Sequence, residues 1–489
     1  MIRSRYYRAS PAAPGGEAGG GARQMGKDMS QQVSAAPKKV SYPKVLTASL
    51  SGSAIEWFDF FLYATAAAFI FDKQFFPSDD PYISQMLSYT TLALTFFIRP
   101  FGGIIFSHIG DRIGRKKTLV VTLSLMGGAT VAIGLLPTYA QVGMLAPVLL
   151  ILCRIIQGLA IGGEWGGALL LAYEYAPKNR RGLFGSIPQT GITIGMLLAT
   201  IAFSLVSLLP QASFESWGWR LPFISSIVLI VIGLWIRGGL GETPAFKKQQ
   251  ATGDVAKLPI AETLRHHWRS VLIAIGAKIV ETAPFYIFAT FVVSYATGTL
   301  DYERSTVLNA VSAGALASTL MIPVMGWLAD KWGRLQVYLC GAVVIGLFAA
   351  PFFLLLGTGA DWAVFMAVIV GLGVVWPPVT ATLGTLTSEI FSTRVRYTGV
   401  TLGYQIGAAL AGGTAPLLCT FLLARFDGSW VPIALYIAAI AVLSIIAVSF
   451  APKVARADDS IENPATEHPE TDHDLPGGLP DGLSMTEVK

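Results

Sequence analysis

The sequence predicts an all-α membrane protein: twelve transmembrane helices in two six-helix repeats, with both termini cytoplasmic. The composition, the recurrence of long apolar stretches and a loop motif that occurs twice point to it. Of 489 residues, 53% are hydrophobic and only 13% charged, and the mean hydropathy is +0.58. A water-soluble chain of this length needs more charged surface than that. Strand-like alternation is absent, so the spans read as helices rather than a barrel.

Stretches of roughly 20 apolar residues, enough to cross the hydrocarbon core, fall near 46–70, 86–106, 118–137, 146–170, 183–208 and 219–237. A second set falls near 270–296, 305–328, 337–357, 362–388, 397–423 and 430–450. Around them the chain divides into a basic tail (1–44), a first bundle (45–240), a connector (241–268), a second bundle (269–451) and an acidic tail (452–489). Both tails are polar and read as disordered, and no signal peptide is expected. Met25 is an alternative start.

Orientation follows from Lys and Arg. With the N-terminus inside, the inner segments carry Arg112, Arg115, Lys116, Lys117, Lys178, Arg180, Arg181, Lys331, Arg334, Arg394 and Arg396, while the outer loops hold little beyond Lys73, Arg304 and Arg425. This is the positive-inside bias. The net charge of +5 is spread over separate segments, which excludes a nucleic-acid patch. Cys153, Cys340 and Cys419 stand singly in apolar helices and read as small buried side chains, neither disulfides nor metal ligands.

The repeated loop is the most specific signal. Asp111-Arg112-Ile113-Gly114-Arg115 and Asp330-Lys331-Trp332-Gly333-Arg334 share the form Asp-basic-x-Gly-Arg. Their aspartates are 330 − 111 = 219 residues apart, as two parallel six-helix repeats require. Glycine permits the tight turn, aspartate can accept hydrogen bonds from a neighbouring helix N-terminus, and arginine can pair across the bundle. Asp111, Arg112, Gly114, Arg115, Asp330, Gly333 and Arg334 are therefore the expected gate, with Glu164 a further candidate near the basic loops.

Further stretches carry a resemblance: Ile55-Glu56-Trp57-Phe58-Asp59, Arg99-Pro100-Phe101-Gly102-Gly103, Arg154-Ile155-Ile156-Gln157-Gly158, Gly162-Gly163-Glu164-Trp165-Gly166-Gly167, Glu242-Thr243-Pro244 and Gly403-Tyr404-Gln405. With the repeated loop, these resemble the major facilitator superfamily and, within it, the metabolite:proton symporters, over about residues 45–450. The resemblance implies alternating access around a central cavity. It implies proton-coupled uptake of a small organic acid or zwitterion such as shikimate, oxoglutarate, citrate or a betaine. It also implies a monomer in the cell inner membrane, driven by the proton gradient without a cofactor. Ser107, Leu335 and Gln336 depart from the usual loop pattern.

Charges inside the membrane cost at least about 2.5–3.5 kcal/mol each near a helix centre, so they mark wet cavities or partners. At 1.5 Å per residue Glu56 and Asp59 lie roughly 15 and 20 Å deep. Arg154 lies within roughly 3 Å of the depth of Asp59, so an ion pair is expected if their helices adjoin. Glu56, Asp59 and Glu281 are the candidate proton carriers, with Glu56 preferred and Asp59 expected to stay ionised beside Arg154. Arg154, Gln157, Lys278, Tyr286, Trp376, Tyr404 and Gln405 are the candidate solute ligands. Lys278 and Glu281, three apart, can equally satisfy only each other. Arg99 reads as a snorkelling residue at the inner end of its helix. Trp376-Pro377-Pro378 predicts a kink. No catalytic constellation or nucleotide loop is present in the sequence, so no enzyme or ATP-driven pump is expected. A facilitator or a drug:proton antiporter remains the alternative.

Overall fold

The computed structural model describes residues 42–113, 115–162, 176–238, 259–391 and 395–454. Its long helices, in chain order, are α1 (Tyr42–Phe69), α2 (Pro81–Ile113), α3 (Arg115–Leu135), α4 (Leu145–Gly162), α5 (Arg181–Ser207) and α6 (Arg220–Gly238). The chain continues with α7 (Trp268–Gly298), α8 (Arg304–Trp332), α9 (Arg334–Leu356), α10 (Asp361–Ile390), α11 (Thr398–Arg425) and α12 (Val431–Val454). Nine helices among the described residues are long and apolar enough to cross a membrane, or ten if the bent pair Gln211–Gly218 and Arg220–Trp235 is one span. Their outer faces carry exposed Leu135, Trp235, Leu320, Leu347 and Leu435, a surface that only lipid covers without penalty.

The repeat seen in the loops is also present in the packing. Helix α2 packs on α4 and α3 on α6, and six helices later α8 packs on α10 and α9 on α12. Between the two sets, α5 lies along α8, and α2 meets α11. A hydroxyl ladder joins α5 to α8: Thr193–Thr319 at 2.7 Å, Thr200–Ser312 at 2.9 Å and Ser204–Asn309 at 2.7 Å. Steps of seven and then four along α5, and of seven and then three along α8, keep to one face of each helix, so the small polar groups meet along an antiparallel seam.

Two helices break where the sequence breaks them. In α10 a π turn, Gly371–Val375, leads to Trp376, and the helix restarts with Pro377 and Pro378 in its first turn. Proline has no N–H to donate there, so the kink expected at Trp376-Pro377-Pro378 is where the turn changes. Helix α7 carries Pro284 and then a π turn, Ile287–Phe291.

Helix α2 differs most from expectation. It runs over 33 residues rather than 86–106. Arg99 is therefore its 19th residue (99 − 81 + 1), close to the middle of the helix, and not the snorkelling end residue that the sequence suggested. The close α2–α4 crossing fixes it there: a Cβ on Gly162 would stand 1.9 Å from the Arg99 carbonyl oxygen. Of the cysteines, Cys419 is buried as expected, but Cys153 is half-buried and Cys340 exposed on the lipid-facing side, because α9 turns that face outward.

The crossing yields a test. Gly162→Ala must force two backbones apart, at an overpacking cost of about 1–3 kcal/mol, whereas a Cβ on Gly128 meets nothing within 4 Å. Thermal unfolding of the purified protein in detergent should show a lowered midpoint for Gly162→Ala and none for Gly128→Ala. Equal midpoints contradict the crossing.

Candidate functional site

Helix α1 brings Glu56, Phe60 and Tyr63 to one face by their helical spacing, with Asp59 beside them. All are buried. Arg154, on α4, is 0% exposed, and its guanidinium lies 3.6 Å from the Tyr63 ring centroid and 5.8 Å from that of Phe60. The expected Asp59–Arg154 ion pair is not formed. Arg154 meets α1 at Tyr63, four residues beyond Asp59, which is roughly one 6 Å turn further along. It donates instead to Gln157 Oε1 at 2.7 Å, and Gln157 Nε2 donates to Thr130 Oγ1 at 2.8 Å.

Asp59 is 1% exposed, and neither carboxylate oxygen makes a well-formed hydrogen bond. Thr130 is its polar neighbour. The single Thr130 hydrogen is committed to the Met126 carbonyl at 3.1 Å while its oxygen receives Gln157. Arg154 Nε and Nη2 are also without partners. Asp59 and Arg154 are thus linked through Thr130 and Gln157, and each is incompletely satisfied. Glu56, by contrast, is engaged in a polar interaction of its own.

The second cluster is on α7. Glu281 pairs with Lys278, accepts from Thr282 Oγ1 at 2.8 Å and from Thr380 Oγ1 at 3.1 Å, and its backbone carbonyl accepts from Trp376 Nε1 at 2.6 Å. Lys278 Nζ also lies 3.7 Å from the Tyr404 ring centroid. The i, i+3 pair is satisfied as the sequence allowed, and it ties α7 to α10 and α11. Gln405 is buried with Oε1 unpartnered, as is the Tyr286 hydroxyl.

These two clusters flank a central cavity lined by Trp57, Phe96, Arg99, Lys278, Glu281, Tyr286, Trp376 and Tyr404 among others. It has only about 10 Å³ of room, about what one water requires. Aromatic rings fill the rest: Phe60 and Phe96 meet Tyr286 edge-on at 5.9 and 5.7 Å, and Phe61 meets Phe285 at 5.5 Å. Of the sequence-derived ligands, Lys278, Tyr286, Trp376 and Tyr404 line this cavity, and Arg154, Gln157 and Gln405 do not. Arg99, which the sequence reading set aside, does. Its signal was present as an arginine in an apolar run, but its depth depended on the true length of α2.

Among the described residues, contacts join the helices at both ends of the bundle. At the end carrying the repeated loops, Asp330 accepts from the backbone N–H groups of Gly182 at 2.7 Å and Leu183 at 2.9 Å. These are the first free donors of α5, where the helix dipole favours a negative charge. Gly333, at φ 100°, makes the turn that an L side chain would strain. Arg334 lies 3.6 Å from Asp330 and pairs with Glu389, a partner at the end of α10 that the sequence reading missed. A recess of about 490 Å³ opens beside this group. Gly114 and Glu164 lie outside the described residues, as do the side chains of Asp111, Arg112 and Arg115. At the opposite end Tyr89 bonds Ser294 at 2.8 Å, and the Arg304 guanidinium lies 4.5 Å from the Phe214 ring centroid.

The comparisons with known proteins agree with this architecture. The sequence matches the Major Facilitator Superfamily over residues 49–412 and again over 310–477. It is 39% identical over 396 residues to the shikimate transporter of Escherichia coli, covering 80% of this chain and 90% of that one. It is 42% identical over 414 residues to the inner membrane metabolite transport protein YhjE of E. coli (83% and 93%), and 33% identical over 413 to the proline/betaine transporter of Salmonella typhimurium (82% and 82%). Among solved structures, the D-xylose-proton symporter superposes with a TM-score of 0.62 at 18% identity, covering 85% of this chain and 98% of that one, a likeness of fold. The chain belongs to the major facilitator superfamily. It is a multi-pass transporter of the inner membrane and not an enzyme.

The Asp330 contact can be tested directly. Asp330→Ala removes both capping bonds, and such charge-assisted bonds contribute about 1.5–3 kcal/mol each. A cysteine at Ser186, in a background without native cysteines, should then react faster with a membrane-impermeant maleimide from the loop-repeat side, by roughly tenfold or more. Unchanged labelling contradicts a closing role for Asp330.

Proposed function

We propose that this chain is a proton-coupled symporter that takes up a small organic acid or zwitterionic metabolite by alternating access. In this reading all twelve helices span the membrane, the termini are cytoplasmic, and the monomer works on the proton gradient without a cofactor. The basic loops and the Asp330 cap then form the cytoplasmic gate.

One observation carries the coupling: Asp59 is buried with no hydrogen-bond partner on either oxygen. An ionised carboxylate in that position would be left unsolvated and unpaired, at a cost of several kcal/mol. The closed conformation therefore holds Asp59 in its protonated form. When the proton leaves, two compensations are at hand. Thr130 can turn its hydrogen from Met126 to the carboxylate, and Arg154 has Nε and Nη2 uncommitted. Moving Arg154 by about a turn along α1 would pair it with Asp59 and drag α4 against α1. Proton loss and helix motion are then one event.

Asp59 replaces Glu56 as the preferred carrier, since Glu56 already has a polar interaction in the closed state. The relatives include a shikimate transporter and a proline/betaine transporter, which supports a small polar metabolite as cargo. Export of apolar cations fits less well, because the charged residues lining the cavity are Arg99, Lys278 and Glu281.

The test uses shikimate as first probe in proteoliposomes, with a pH jump for accumulation and counterflow for downhill exchange. Asp59→Asn, a permanent mimic of the protonated acid, should abolish accumulation and keep counterflow. Glu56→Gln should retain both. An Asp59→Asn protein that still concentrates solute under a proton gradient refutes the assignment, and loss of accumulation in Glu56→Gln alone returns the role to Glu56.

A further inference from the structure

The geometry points to Arg99 as the anchor for the solute carboxylate, in a site built for a monocarboxylate with a flat apolar body. This rests on the transport reading above but names a residue and a ligand chemistry that the reading does not contain.

Arg99 is 3% exposed, lies in the middle of α2 and lines the central cavity. Among the described residues no carboxylate comes within ion-pair distance of it. Its surroundings are aromatic faces: the guanidinium is 4.3 Å from the Phe96 centroid, 5.0 Å from Phe60 and 5.9 Å from Trp57. Cation–π contacts ease the burial of a guanidinium but accept none of its hydrogen bonds.

Arg99 is not alone in this. Three cavity-lining groups have a buried polar atom without a partner: Arg99 Nε, Trp57 Nε1 and the Tyr286 hydroxyl. Each can donate a hydrogen bond, and the first two can do nothing else. Buried polar atoms are nearly always satisfied, so three orphan donors around one cavity call for an acceptor-rich ligand. A carboxylate supplies two oxygens and about four lone-pair positions, and takes a guanidinium in the two-bond fork.

Charge sets the number of carboxylates. Lys278 is already neutralised by Glu281, which is itself saturated by Thr282 and Thr380. Arg99 is then the lining charge with no carboxylate within ion-pair distance among the described residues, so the site offers one carboxylate a direct partner and a second none. A quaternary ammonium is also disfavoured, because Arg99 itself occupies the aromatic faces that such a cation would use. The remaining walls, Trp57, Phe285 and Trp376, present ring surfaces, and Phe285 and Trp376 lie 4.5 Å apart at 35°. A flat apolar body stacks there once Phe60, Phe96 and Tyr286 part.

The test is calorimetric binding to the purified protein at one pH without any gradient, with benzoate, succinate and glycine betaine as probes. Variants are compared at one fixed pH, whereas coupling is read as accumulation under a proton gradient, so failure of the anchor and failure of proton coupling are separate results. Wild-type protein should bind benzoate in preference to the other two. Arg99→Gln, shown to be folded by its thermal unfolding curve, should bind benzoate about 30-fold or more weakly, as expected for truncating one partner of a buried hydrogen-bonded charge pair. Gly128→Ala, whose added Cβ meets nothing within 4 Å, should bind it within about threefold of wild type. If Arg99→Gln does not fold, Arg99→Lys decides: it keeps the charge, loses the fork and should bind about tenfold more weakly. Undiminished binding in Arg99→Gln or Arg99→Lys, or an equal loss in Gly128→Ala, overturns the anchor. A preference for succinate or betaine, or no benzoate binding, overturns the ligand class.

Discussion

A charge held at the depth of a membrane's hydrocarbon must find a partner, a wet space or a proton, since the surrounding low dielectric leaves no fourth option. The bundle contains each solution. Lys278 and Glu281 have partners, and the bonds that satisfy Glu281 also tie α7 to α10. Arg99 faces the cavity from an aromatic collar. Asp59 is buried with both oxygens unsatisfied, which in the proposed mechanism leaves it the proton. Much of the geometry follows from these requirements: why α2 and α4 cross closely enough to bury an arginine, and why polar residues thread α1, α4 and α7 at the same level.

The same physics works differently at the ends of the bundle. Asp330 joins the start of α5 through two backbone donors that the helix would otherwise leave exposed. Such a contact is worth a few kcal/mol at most, enough to hold one end shut and weak enough to be outbid by a bound ligand. The far end is closed by neutral hydroxyl pairs and by Arg304 over Phe214. Closure at one end by a charge on a helix terminus, and at the other by small hydrogen bonds and a ring, lets the two ends open at different cost. Transport requires that asymmetry to be reversible.

The fold was legible because membrane helices announce themselves by length and apolarity, and because the Asp330 and Asp111 loops repeat. The helix breaks at Trp376-Pro377-Pro378 were legible for the same reason: proline chemistry is local. What the sequence could not supply was register between helices. Counting residues from the helix ends puts Arg154 and Asp59 at the same depth, yet the α1–α4 packing sets Arg154 on Tyr63. Arg99 was misplaced because polar residues at both ends of α2 hide the last turns of a helix that the apolar window stops short of. Glu389 was missed because an acid at a helix end beside basic loops has no motif of its own.

In the proposed mechanism the solute and the proton are held at two separate stations, Arg99 and Asp59, joined by helix motion. Calorimetry of benzoate binding to the wild-type protein, repeated in buffers of different ionisation enthalpy across a pH series, counts protons taken up with the solute. Uptake of about one proton per solute is expected at alkaline pH, falling towards none at acid pH where Asp59 is already protonated. Benzoate binding with no proton uptake at any pH would contradict it.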